Sequence, residues 1–292
     1  MTDETLRTGL TDRAELLDSS DAEVIDELGH IDLASNQILG NTEAKHSVGS
    51  GAFAPYVTTE FFEFNGSIDI RTDTFRALKF IGNDDDAGTI DFEEYNRLYT
   101  FRQATNDGKI EEIQYFRFGE AILEIDEDNE MTIRYTGQGK DLKRVNGTIT
   151  KRDSSVKPKQ YDKVFLDIDD TQVGTLQRFR GTINRNLRAV RGINTGTKKP
   201  KYLALGKTDV DVEIVFKVDD GVAWEQFHDG EEIQEDPTPS KITLRNSDGT
   251  DKINFEGHIG SEVDFEMPND DETRTASLTG IARKPVVTYP TE

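Results

Sequence analysis

The sequence contains no cysteine, which excludes a disulfide framework and a thiolate metal site. It has no apolar run near the ~20 residues that a membrane-crossing helix needs. Its opening residues, Met1-Thr2-Asp3-Glu4, offer neither the basic nor the apolar region of a secretion signal, so folding in a cytoplasm is expected. Histidine is scarce: His30, His46, His228 and His258 lie far apart, and a zinc site built on them would be mostly carboxylate. There is no Gly-x-Ser-x-Gly elbow and no phosphate-cradling glycine loop, and Gly49-Ser50-Gly51 has the composition of a linker. Lys plus Arg number 35 against 57 Asp plus Glu, so the broad basic face that duplex DNA recognition requires is missing. No catalytic residue, cofactor or metal is expected. Among so many acids, a carboxylate pair of the glycosidase kind carries no information.

What is present is acid, spread evenly, for a net charge of −22, together with 16 Phe and 8 Tyr. The aromatics and many alternating apolar positions imply a packed core and not a disordered chain. At 292 residues one generous β core or two small ones fit. In dilute buffer such a charge opposes the compact state. In molar salt the Debye length falls to ~3 Å and the repulsion is nearly erased, so the composition reads as adaptation to high salt. The acidic clusters Asp84-Asp85-Asp86 and Asp167-Ile168-Asp169-Asp170 do not match a calcium-binding loop and read as solvated.

Periodicity predicts a partly helical N-terminal arm over residues 1–55, with Leu6, Leu10, Ala14 and Leu17 at helical spacing and a second run from Asp21 to Leu28. From Val57 onward the pattern is of strands. Turn dipeptides predict hairpins at Asn65-Gly66, Asn106-Asp107-Gly108 and Asn146-Gly147. Thr74 to Ile81 and Gly221 to Phe227, around the only Trp, read as short helices. Residues 151–160 suit a boundary between two halves, and 283–292, with Pro285 and Pro290, read as an extended C-terminal arm. Two echoes link the halves. Phe64 to Asp69 is similar to Phe179 to Asn184, and Gly119 to Gly137 is similar to Gly260 to Gly280.

One window breaks the acidic background. Between Thr171 and Thr208 there is no Asp or Glu, while Arg178, Arg180, Arg185, Arg188, Arg191, Lys198, Lys199, Lys201 and Lys207 occur. The readings are a solvated basic face, a nucleic-acid patch, or a surface that meets an acidic surface of another copy, such as Asp84, Asp85 and Asp86.

The same window carries a resemblance. Phe179-Arg180-Gly181-Thr182-Ile183-Asn184 leads through Gly192 and Pro200 to the alternating Val210–Val218, then Trp224 and Phe227. This resembles the second half of tail tube proteins of long-tailed viruses, and Thr74–Ile81, Tyr95–Phe101 and Phe118–Leu123 followed by Met131-Thr132-Ile133 resemble the first. The likeness covers roughly residues 57–282 as a pattern of elements. It implies a mainly β antiparallel sandwich or partial barrel over 56–282, in a virion tail assembled in the cytoplasm of a halophilic host. Copies would form rings, usually hexameric, stacked into a tube. Other tail proteins would meet the tube ends, and viral DNA would pass through without specific binding. A receptor- or carbohydrate-binding β-sandwich module is the competing class.

Overall fold

The computed structural model describes residues 14–18, 30–45, 56–84, 87–93, 97–105, 107–126, 130–149, 163–172, 175–190, 197–217, 228–229, 232–233, 239–266 and 275–291. It is mainly β, with a curled antiparallel half-barrel sheet.

The first half contributes β1 (Ala14–Leu17), β2 (His30–Lys45), β3 (Tyr56–Arg71), β4 (Asn83–Asp84), β5 (Thr89–Asp91), β6 (Tyr99–Ala104), β7 (Lys109–Asp126), β8 (Thr132–Gly139) and β9 (Asp141–Asn146). The second contributes β10 (Phe165–Ile168), β11 (Thr171–Gln172), β12 (Thr175–Asn184), β13 (Arg188–Val190), β14 (Tyr202–Ala204) and β15 (Asp209–Lys217). It continues with β16 (His228–Asp229), β17 (Glu232–Ile233), β18 (Ser240–Arg245), β19 (Lys252–Glu266), β20 (Thr275–Ile281) and β21 (Lys284–Thr288).

Strand pairing gives both halves the same plan. In the first, β2, β3, β8 and the C-terminal part of β7 form one antiparallel sheet, while β1, β6, the N-terminal part of β7 and β9 form another. In the second, β12, β15, β20 and the C-terminal part of β19 correspond to the first set. There β10, β18, the N-terminal part of β19 and β21 correspond to the other. The long strands β7 and β19 each pass from one sheet to the other. β7 then pairs with β12, so the two larger sheets join edge to edge in the order β2-β3-β8-β7-β12-β15-β20-β19.

Irregularities recur at matching places. A bulge between Ile31 and Leu33, opposite Ile70 and Asp69, matches one between Leu176 and Arg178, opposite Phe216 and Val215. A bulge between Phe118 and Glu120, opposite Gly137 and Thr136, matches one between Gly260 and Glu262, opposite Gly280 and Thr279. Where each long strand turns its corner, Tyr115 (φ 53) matches Gly257 (φ 63). Bulges bend a strand and raise its local twist, which is what passage between two sheets requires. The echo of Gly119–Gly137 and Gly260–Gly280 therefore lies on equivalent hairpins. The other echo does not: Phe64–Asp69 is on β3 and Phe179–Asn184 on β12, whose counterpart is β2.

Several expectations are corrected. Ala14–Leu17 and His30–Lys45 are strands and not helix, because Leu16 and Leu17 close the core beside β6, and β2 spends its backbone donors on β3. Residues 1–13, 19–29 and 46–55 lie outside the described residues. No hairpin forms at Asn65-Gly66. β3 runs straight through, and Gly66 lies where a Cβ would sit 2.9 Å from the rings of Phe101 and Phe116. β9 ends at Asn146 without folding back, since its partner is β7. The C-terminal stretch is not an arm, because β21 pairs with β19 and β5 and buries Val287 and Tyr289. The turn at Asn106-Asp107-Gly108 does join β6 to β7, with Gly108 at φ 75. Thr74–Ile81 holds a 3-10 helix, Phe75–Phe80. Thr74 accepts from Arg76 N, and the buried Asp251 carboxylate accepts from Phe75 N. The helix around Trp224 and the 151–160 boundary lie outside the described residues.

Buried side chains of both halves form one cluster. Period-2 alternation puts Phe64, Ile68 and Ile70 of β3 on the same face as their counterparts Val210, Ile214 and Phe216 of β15. At one matched position the halves differ chemically. Phe116 in the first becomes His258 in the second, 1% exposed, with Nδ1 3.4 Å from Ser240 Oγ. Burial pushes its imidazole down from 6.5 to about 4, against the Asp169 carboxylate, which pulls it up. The native state thus takes up this proton later than the unfolded chain does. Stability is full above pH 6.5 and falls as pH drops through 4, by about 3 kcal/mol for this group. Urea melts between pH 4 and 7 should show a slope that His258→Phe reduces. An unchanged slope would assign the acid sensitivity to other groups.

Candidate functional site: the polar face and edges of the continuous sheet

In β3, β8, β7, β12, β15 and β20 the apolar positions cover the core, and the alternate positions form a polar face. Its rows cross strands and both halves. Asp69, Arg134, Ile122, Thr182 and Asp211 stand in one line. Arg71, Thr132, Glu124, Arg180, Glu213, Thr279 and Glu262 stand in the next. Cross-strand ion pairs knit these rows. Arg134 makes a forked contact with Asp69, Nε at 3.1 Å from Oδ1 and Nη2 at 3.1 Å from Oδ2, which holds the guanidinium more firmly protonated than usual. Arg180 Nε lies 3.5 Å from Glu124, and Arg178 Nη1 lies 3.7 Å from Glu213. The last two pairs are exposed and contribute ~0–1 kcal/mol each, so they orient side chains more than they stabilise. Asp209, Asp211 and Glu262 add exposed carboxylates. Over the junction of the halves a shallow groove is lined by Asn65, Ser67, Glu120, Thr136, Gln138 and Asn184. Its side chains include amides, hydroxyls and one carboxylate. Among the described residues, no group of three or more His, Asp or Glu could hold a metal ion.

The basic window is dispersed by the fold. Arg178 and Arg180 sit mid-sheet, engaged with acids of their own chain. Arg185, expected at a subunit contact, is 4% exposed, and its guanidinium donates to the Phe92 carbonyl. Asp84, expected to face another copy, is also buried. It accepts from the Tyr289 hydroxyl and from Arg76 Nε at 3.5 Å, while its carbonyl accepts from Arg97. Both are internal ties, since a buried charge must find partners within its own chain. Arg188, Lys198, Lys199 and Lys201 remain exposed together around β13 and β14, a hairpin inserted between β12 and β15. Lys199 pairs with Asp141, and the Lys198 carbonyl accepts from Phe62 N at 3.1 Å. Arg191, Asp85 and Asp86 lie outside the described residues.

The sheet's two ends were not foreseen from sequence. Among the described residues, β2 pairs only with β3, and the 259–266 part of β19 pairs only with β20. Both therefore present a row of backbone donors and acceptors along an edge. The signal available was the matched Thr-Gly hairpin ends, Thr136-Gly137 and Thr279-Gly280, which mark equivalent strands.

No protein-family model matches the chain, and none of the curated proteins does. No helix among the described residues is long and apolar enough to cross a membrane.

Proposed function

We propose that the chain is the tail tube subunit of a long-tailed virus of a halophilic host: a structural protein that self-assembles into stacked rings around a genome conduit. One observation carries the reading. Two like halves are joined into a single curled sheet that has an apolar face, a polar face and, among the described residues, an open edge at each end. A ring is the closed arrangement that satisfies both edges with identical subunits and leaves no free strand. The resembled family builds rings of six units, and three copies of a two-unit chain supply six. The polar face then lines the lumen. Its excess acid repels phosphate, so DNA passes without being gripped. The exposed basic hairpin carrying Arg188, Lys198, Lys199 and Lys201 serves ring-to-ring contacts with acidic surface. The overall charge of −22 suits assembly where salt screens it.

Electron microscopy of the purified protein in molar salt should show rings or tubes with a central channel. A persistent monomer under those conditions overturns the proposal in favour of a ligand-binding sandwich.

A further inference from the structure

We infer that the 259–266 edge of β19 in one copy pairs antiparallel with β2 of the next copy, in the register that joins β7 to β12 inside each chain. The inference rests on the ring assembly proposed above and adds which edges meet, in which direction and at which residues.

The argument is geometric. β7 and β19 are equivalent strands, each ending a four-strand set, and the bulges place Glu120 on Glu262 and Ile122 on Asp264. β12 and β2 are equivalent as well, each opening its set, and their bulges place Leu176 on Ile31 and Thr182 on Gln37. Inside the chain the end of the first set is satisfied by the start of the second, with Ile122 opposite Thr182 and Glu120 opposite Asn184. The end of the second set, β19, and the start of the first, β2, lack that partner among the described residues. Carrying the internal junction over puts Asp264 opposite Gln37, Glu262 opposite Leu39 and Phe265 opposite Asn36. Because the same joint then repeats within and between chains, each step turns the sheet by the same amount. Equal steps of this kind close a ring when their rotations sum to a full turn.

The cysteine-free sequence makes the test clean, since every thiol is an introduced one. Directly opposed residues hold Cβ atoms ~4.5–5.5 Å apart, close enough for a disulfide after small adjustment. Gln37→Cys with Asp264→Cys should link into covalent multimers under mild oxidation in molar salt. Ile122→Cys with Thr182→Cys should link within one chain and calibrate the yield for this geometry. Gln37→Cys with Val263→Cys is offset by one residue, which turns the second thiol to the opposite face, and should stay unlinked. If rings form and the internal pair links while Gln37→Cys/Asp264→Cys does not, the edge pairing is wrong and the ring reading stands. If the offset pair links instead, the register is wrong. If no assembly forms and only the internal pair links, both the pairing and the ring reading fall.

Discussion

Replacing Gly137 and Gly280 together by valine is expected to leave the chain unfolded in dilute buffer. The two glycines are matched positions, each opposite the residue that precedes a bulge in a long strand. A Cβ at Gly137 would sit 2.4 Å from the Arg117 carbonyl oxygen and 2.7 Å from the Phe116 ring. A Cβ at Gly280 would sit 2.4 Å from the Ile259 carbonyl oxygen and 2.3 Å from His258 Nε2. Backbone atoms cannot swing aside as a flexible side chain can, so each strand would have to separate from its neighbour. Overpacking of this kind costs about 3 kcal/mol per site. β7, β12 and β15 lie between β8 and β20, so the two costs should add, to about 6 kcal/mol. That is comparable with the whole stability of an ordinary domain. Urea melts of the single variants should each show a lowered midpoint, and the double variant should lack near-ultraviolet dichroism. A single variant that melts like the parent would show that the close approach at that bulge is not needed.

Truncating Phe118 to alanine should cost about 4 kcal/mol, the ordinary range for emptying a fully buried aromatic site. The residue is 0% exposed, and its ring centroid lies 5.0 Å from Phe116, 5.2 Å from Tyr135, 5.8 Å from Tyr99 and 6.1 Å from Phe80. These rings come from β6, β7, β8 and the 3-10 helix, so one cavity loosens all of them. Tyr135 is further tied by its hydroxyl, which donates to the Ala77 carbonyl at 2.6 Å. Phe118→Leu should recover most of the loss, because it refills volume without the edge-to-face geometry. Equal destabilisation by Leu and Ala would mean that ring shape, and not burial, decides this site.

The alternating runs were legible because a strand's two faces follow from a local period of two. Val210 to Phe216 reads the same way in sequence and in structure. The N-terminal strands were not legible. Ala14 to Leu17 is too short to separate a helical from an extended period, and β2 acquires its conformation from β3. Hairpin dipeptides misled at Asn65-Gly66 for a related reason. Glycine there answers a need for space under two aromatic rings, which leaves no mark different from the need for a turn. The basic window was legible as a departure from background, yet the side chains in it went to different tasks. Arg185 turned inward to a backbone carbonyl, Arg178 and Arg180 met acids across neighbouring strands, and Arg188, Lys198 and Lys201 stayed outside.

Composition and periodicity alone settle that this is a cysteine-free, strongly acidic chain built mainly of strands with a shared apolar face, because those properties are local or additive. Which strands pair is not local. β7 meets β12, and among the described residues β19 is left with an edge, only once matched bulges have set the path of each long strand. Such contacts join residues far apart in sequence, and their choice is made by the simultaneous packing of one core. The likeness of the two halves, and the edges they leave at β2 and β19 among the described residues, are therefore decisions of the tertiary structure.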